Sequence, residues 1–191
     1  QALADWRTAL GRALHGRFDP TGRRPSHNGK PDRSGYPSGR ELLPAMADTV
    51  QQYRIPAEYL RAVIDGVGMD LKQRRYESFD ELEGYCQRVA SAVGLACIHV
   101  WGFRGRQALE PARKCGIALQ LTNILRDLKE DAQRDRVYLP LADLRQCGYS
   151  VDDLMHGVAD ERFRRLMEYE ITRTEWFYRE GAELMQWLEP D

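Results

Sequence analysis

The 191-residue sequence predicts an all-α fold, and three observations carry that expectation. Apolar residues recur three and four positions apart in segment after segment, the spacing that gathers them on one side of an α-helix. No stretch shows the strict alternation of a half-buried strand. Start and stop signals, such as Ser78 followed by Glu81, punctuate the periodic segments where helices should begin and end.

Taken in order, Ala2–His15 is the first helix, with Leu3, Trp6, Leu10 and Leu14 on one stripe. Gly16–Gly39 is rich in Gly, Pro, Arg and Ser and reads as a long exposed loop, its cations solvated rather than forming an anion-binding lid. Helical periodicity returns over Glu41–Tyr53. Pro56 suits a first helical turn, where a missing N–H costs nothing, and the next helix runs from Ala57 to about Gln73. Ser78 is a candidate N-cap and Glu81 completes a capping box. That helix reaches about Trp101 and contains the small-residue stretch Ala90-Ser91-Ala92-Val93-Gly94. Pro111 falls in the first turns of a helix that continues through Asp127 toward Asp131, and Arg134-Asp135-Arg136 ends it. Tyr138-Leu139-Pro140 leads to a short helix over Leu141–Gln146. Gly148 and Ser150 precede another, Val151–Met155, and Asp160 opens a long final helix toward Leu188. No tandem repeat is present, and residues 1–191 read as one domain.

Bulk properties narrow the function classes. Hydrophobic residues make up 42% and charged residues 30%, a globular balance that excludes disorder. The formal net charge of -1 provides no general attraction to nucleic acid or an anionic membrane, so an anionic substrate must be held by local cations or metal. No apolar run is long enough to span a bilayer. The first residue is Gln1, with no basic-then-apolar leader after it, and the expectation is that the numbering begins inside a longer natural protein. Cys86, Cys97, Cys115 and Cys147 form no CxxC pair and the four His are scattered, which argues against zinc. The cysteines read as reduced, buried residues of a cytoplasmic protein.

The segment Gly116–Asp131 carries the chemistry. At about 100° per residue, Gln120, Asn123, Asp127 and Asp131 fall within an arc of roughly 80°, while Ile117, Leu121, Ile124, Leu125 and Leu128 occupy most of the remainder. So apolar a helix should be largely buried, and its polar stripe should face a wet or metal-filled interior. Two carboxylates one turn apart resist ionising together. A hard divalent cation resolves the conflict, and Mg2+, which takes one or two carboxylates plus substrate phosphates, points to a metal-bridged diphosphate. Arg126 and Arg136 are suited to charge-assisted bonds to the same phosphates. The competing reading of the Asp127–Asp131 spacing is a solvated helix end with surface ion pairs. Gln120 and Asn123, deep in the apolar run on the same line, favour the functional reading.

Gln120-Leu121-Thr122-Asn123-Ile124-Leu125-Arg126-Asp127, followed by Glu130-Asp131 and Arg136-Val137-Tyr138-Leu139-Pro140, closely resembles the second aspartate-rich signature of the squalene/phytoene synthase family. Tyr85-Cys86-Gln87-Arg88-Val89-Ala90-Ser91-Ala92-Val93-Gly94 resembles that family's other signature, and the two occur in the family's order. The resemblance runs from about Asp5 to Tyr178. It implies a class I terpenoid-synthase helical bundle with a central cavity, incomplete at its N-terminus. It further implies Mg2+ on Asp127 and Asp131, Gln120 and Asn123 supporting the metal–diphosphate cluster, Arg126 and Arg136 on the diphosphate, and Tyr85 facing the reacting carbocation. Val89, Ala92, Val93 and Ala96 share Tyr85's helix at a spacing that suits either an isoprenoid pocket or ordinary core.

The implied reaction is head-to-head (1'-1) condensation of two prenyl diphosphates, farnesyl or geranylgeranyl, through a cyclopropyl-carbinyl diphosphate to a squalene, hydroxysqualene or phytoene-type product. NADPH use stays open, because reductive members of the family bind it without a GxGxxG turn. Peripheral contact with a membrane would serve product release. One departure stands out: the family's first aspartate-rich motif is absent, since Asp5 and Asp48 are isolated. Two other readings compete, a non-catalytic relative of the assembly-factor kind and a class I terpene cyclase. The clustered carboxylates speak against the first. Asp127 and Asp131, standing where a cyclase triad has Ser and Glu, speak against the second.

Overall fold

In the computed structural model, which describes residues 2–15 and 39–190, the helix bearing the polar stripe is the one on which most others pack. The helices are α1 (Ala2–His15), α2 (Gly39–Gln52), α3 (Ala57–Asp70), α4 (Phe79–Cys86), α5 (Ala92–Trp101), α6 (Leu109–Gln133), α7 (Leu141–Gln146), α8 (Val151–Met155) and α9 (Glu161–Ala182). Helix α6 lies between α9 on one side and the α4–α5 arm on the other, and α3 packs outside α5. The loop expected over Gly16–Gly39 lies outside the described residues, except that Gly39 is the first residue of α2.

Local chemistry sets the helix starts. The Ser78 hydroxyl accepts the Glu81 N–H, but the Glu81 carboxylate takes the N–H of Glu77, one residue earlier than a capping box requires. A full box forms instead at Ser150 and Asp153, which heads α8. Asp160 caps α9 by accepting the N–H groups of Arg162 and Phe163.

The main core gathers Leu82, Tyr85 and Cys86 of α4 with Ile117, Leu121 and Ile124 of α6 and Leu166 and Phe177 of α9, closed below by Val137, Leu139, Leu144 and Leu154. A smaller core joins Leu95 and Ile98 to Ala108, Ala112 and Leu184. Of the four cysteines only Cys86 is buried and the others are half-buried, which corrects the expectation that all are buried; none pairs.

Three boundaries differ from the sequence reading, each because a tertiary contact overrides helical periodicity. Helix α3 stops at Asp70, short of Gln73, because the chain beyond it runs alongside the segment after α6. There Val137 N–H donates to Arg74 O at 3.0 Å, Leu141 N–H to Tyr76 O at 2.9 Å, and Ala142 N–H to Glu77 O at 3.1 Å. The α4–α5 arm is interrupted by a π-helical turn, Gln87–Ser91, where α6 presses closest through Gly116. The final helix ends at Ala182 in a 3-10 turn, Glu183–Gln186, and Leu188 then bridges to Phe103.

Candidate functional site

On α6 the stripe Gln120, Asn123, Asp127 and Asp131 is half-buried at every position. It runs along the border between the buried face, carrying Ile117, Leu121 and Ile124, and an exposed face carrying Leu119, Thr122, Arg126 and Lys129. The expected burial of the helix's apolar residues therefore fails at Leu119, which is 56% exposed. The stripe is thus half-open to solvent along its length.

Within it, Asp127 and Asp131 have opposite electrostatic situations. Arg126 grips Asp127 with two hydrogen bonds, Nε to Oδ1 and Nη2 to Oδ2, both 2.7 Å, and holds its carboxyl below the usual range. The Asp127 side chain is 33% exposed and that of Arg126 is 66% exposed, so the pair is accessible. Burial pushes the Asp131 carboxyl up, and the charge of Asp127 one turn before it adds to that; Arg136 and Arg134 oppose it. Among the described residues no group of three or more His, Cys, Asp or Glu is placed to hold one ion. Two carboxylates one turn apart, whose repulsion the arginines offset only in part, fit Mg2+ completed by water and phosphate, and do not fit an all-protein cage. Asp5 lies on α1 and Asp48 on α2, and neither joins this pair.

Tyr85 is buried, at 4% exposure, and belongs to a trio of rings. Its centroid lies 5.5 Å from that of Tyr76 and 5.4 Å from that of Tyr138, and Tyr76 and Tyr138 stack at 5.9 Å. The Tyr85 hydroxyl donates to Asp70 Oδ2 at 3.1 Å and the Tyr138 hydroxyl to Asp70 Oδ1 at 2.9 Å. Arg136 reaches the same residue, Nη2 to the Asp70 backbone carbonyl at 3.4 Å, and so links the aromatic trio to the surroundings of Asp131. Burial, together with neighbouring acidic groups, raises the Tyr85 and Tyr76 phenols far above their ordinary value.

Sequence reasoning missed Asp70, Tyr76 and Tyr138 as members of this group. The sequence reading, which ran this helix to about Gln73, hid the signal: Asp70 is the last residue of α3, where a negative charge opposes the helix dipole and needs partners elsewhere.

An apolar cavity of about 410 Å3 lies between α1, α2, α3 and α5. Trp6, Met46 and Val63 line it opposite Ala92, Val93 and Ala96. The arm that carries Tyr85 thus presents three of the four expected residues to a greasy hollow. Val89 instead packs against Gly66 and the main core. Val93 and Val100 are 44% and 42% exposed, so the cavity is open along that edge. Asp127 and Asp131 are not among its lining residues.

Comparison with known proteins bears on the family and the fold. The family model for squalene/phytoene synthase matches residues 1–191. A phytoene synthase of Arthrospira platensis is 42% identical over 160 residues, covering 77% of this chain and 52% of the relative. The 15-cis-phytoene synthase of Synechocystis is 40% identical over 159 residues, covering 77% and 47%. The chain thus spans about half the length of the curated relatives it matches. Among solved structures, a dehydrosqualene synthase in complex with ligand superposes with a TM-score of 0.80 at 26% identity, over 99% of this chain and 60% of the other. A squalene synthase from Alicyclobacillus acidocaldarius, at 24% identity and a TM-score of 0.79 over 96% of this chain and 62% of the other, shares the fold. The match of the family model along the whole chain, with an all-helical architecture to go with it, shows that this chain belongs to the squalene/phytoene synthase family.

Proposed function

We propose that the protein joins two prenyl diphosphates head to head, and that its substrate is the twenty-carbon geranylgeranyl diphosphate, giving a phytoene-type product. The carrying observation is the half-open face of α6, where Asp127 and Asp131 leave a carboxylate conflict that a divalent cation relieves, with Arg126 and Arg136 close by. Similarity of 40–42% to proteins named phytoene synthase supports the product class over the squalene and hydroxysqualene alternatives. In the first step a carbon–carbon bond forms between the two prenyl units, with loss of one diphosphate and one proton, leaving a cyclopropyl-carbinyl diphosphate. In the second, the remaining diphosphate departs, the skeleton rearranges, and loss of a second proton gives the hydrocarbon. That ending consumes no NADPH.

Asp127 and Asp131 would hold Mg2+, with Gln120 and Asn123 next along the same line. When bound, Mg2+ supplies Lewis-acid pull on the leaving diphosphate. Arg126 exchanges Asp127 for phosphate oxygens, a move that its exposure allows. Arg136 offsets the charge of Asp131 while it holds the Asp70 backbone carbonyl. The apolar walls from Ala92, Val93 and Ala96 take up prenyl chain. Tyr85 borders the reacting carbon, its ring fixed by Tyr76 and Tyr138. Peripheral contact with a membrane would serve product release; no helix among the described residues is long and apolar enough to cross one.

The test is mass-spectrometric product analysis of the full chain, incubated with Mg2+ and either farnesyl or geranylgeranyl diphosphate. A forty-carbon hydrocarbon from geranylgeranyl diphosphate supports the proposal. A thirty-carbon product alone overturns the substrate assignment, and absence of any joined product from either overturns the reaction.

A further inference from the structure

Asp70 holds an unusual position. It ends α3, where the helix dipole disfavours a carboxylate, yet each of its two oxygens accepts a hydroxyl from a different tyrosine, and those tyrosines come from different parts of the chain. Tyr85 belongs to α4, and Tyr138 to the segment that leads from α6 to α7. A phenol carries one proton. With that proton committed to Asp70, its oxygen can only accept. Both hydroxyls reach the one carboxylate, at 3.1 and 2.9 Å, so both oxygens lie in the same small region.

We propose that Asp70 is a positioning residue for the condensation: by taking the hydroxyl protons of both Tyr85 and Tyr138 it turns their oxygens into a fixed pair of acceptors. The role rests on the reading above that Tyr85 borders the reacting carbon. It decides between two ways in which that tyrosine can act. A tyrosine free to turn its hydroxyl donates to a diphosphate oxygen. A tyrosine held by Asp70 presents the negative end of its O–H dipole, which lowers the energy of positive charge opposite it and offers the diphosphate nothing. Burial raises both phenols, so the protons stay in place across the neutral range. Tyr76, fully buried, stacked on the Tyr138 ring and tilted against that of Tyr85, keeps them from rotating away from the carboxylate.

The experiment is a double-mutant cycle in the full chain, with Asp70→Asn and Tyr85→Phe made singly and together, and kcat and KM measured for geranylgeranyl diphosphate. Asparagine matches aspartate in shape but must donate to one of the two oxygens, reversing one hydrogen bond. The expected result is a loss in kcat of about 30-fold for Asp70→Asn with KM within about twofold, shrinking to less than about threefold when Tyr85 is already Phe. Losses that simply multiply, or a wild-type kcat in Asp70→Asn, overturn the proposal. A second readout is independent of turnover. With 13C-labelled tyrosine, Asp70→Asn should move the Cζ resonances of Tyr85 and Tyr138 and leave Tyr169 and Tyr178 in place; unmoved resonances also overturn it. If Asp70→Asn does not fold, Asp70→Ser, too short to reach both tyrosines, runs the same cycle. A wild-type chain that condenses nothing refutes the condensation itself, and this role with it, whereas an active wild type with multiplicative losses refutes the role alone.

Discussion

Gly116 of α6 stands against the backbone of Ser91: a Cβ on Gly116 would fall 2.4 Å from Ser91 Cα and 2.6 Å from Ser91 N. The contact is backbone to backbone, so nothing soft can yield. It lies at the π-turn of the α4–α5 arm, and the Ser91 hydroxyl donates to Arg113 O at 2.6 Å, tying the two elements together. This approach sets how the arm bearing Tyr85 sits on the helix bearing Asp127 and Asp131.

Gly116→Ala should therefore destabilise the protein by about 1–3 kcal/mol, seen as a lower midpoint in urea unfolding. The sign is diagnostic. On helix propensity alone, alanine in place of glycine inside a helix stabilises by roughly 0.5–1 kcal/mol. A raised midpoint would mean that the two elements are not in contact at this position.

A second prediction concerns pH. Glu170, 1% exposed, shares Arg173 with Asp143: Arg173 Nη1 lies 2.8 Å from a carboxylate oxygen of each. The guanidinium also stacks on Phe79 and Tyr169. One cation faces two acids, and Glu170 Oε1 has no hydrogen-bond partner among the described residues. Burial, against the opposing charge of Arg173, pushes the Glu170 carboxyl up to about 7. The folded state then holds this proton more tightly than the unfolded chain. Stability from this group is complete below the ordinary carboxylate value of 4.5 and is lost as pH rises to about 7. Glu170→Gln, a neutral mimic of the protonated form, should flatten the stability profile over that window by an amount on the order of 3 kcal/mol. Parallel profiles for wild type and variant would contradict the assignment.

A third follows from the grip of Arg126 on Asp127. Removing the guanidinium releases the carboxylate for metal while deleting a phosphate contact, so the two affinities should move in opposite directions. Mn2+ titration of Arg126→Ala, followed by electron paramagnetic resonance without substrate, should show tighter metal binding than wild type. Its KM for the prenyl diphosphate should rise, by about tenfold. A fall in both affinities would show that Arg126 supports the metal pair rather than competing for Asp127.

A fourth uses the cavity. Ala96→Phe adds a ring to the wall shared by α3 and α5, and should cost the twenty-carbon substrate more than the fifteen-carbon one, by about tenfold or more in relative kcat/KM. Equal losses on both would show that prenyl chains do not enter there.

What the sequence made legible was whatever depends on one helix. The alignment of Gln120, Asn123, Asp127 and Asp131 follows from helical geometry alone, and so does the apolar row Ala92, Val93 and Ala96. Features that depend on distant segments were not legible. Tyr85 and Tyr138 reach Asp70 across separations of 15 and 68 residues, and no local pattern brings them together. The π-turn at Gln87–Ser91 answers to Gly116, and the early end of α3 answers to hydrogen bonds from Val137 and Leu141. The exposure of Leu119 depends on which neighbours flank α6, which periodicity does not specify. Trp6 and Leu10, read as one helix's stripe, acquire their place beside the cavity only from the packing of α1 on α2 and α3.

The most direct measurement is the rate at which the full chain releases diphosphate from geranylgeranyl diphosphate, with and without Mg2+, in wild type, Asp127→Ala and Asp131→Ala. The wild-type rate should depend on Mg2+ and fall by about a thousandfold or more in either variant, the scale expected when a principal electrostatic contribution to ionisation is lost. Wild-type release by Asp127→Ala at saturating Mg2+ would contradict the account.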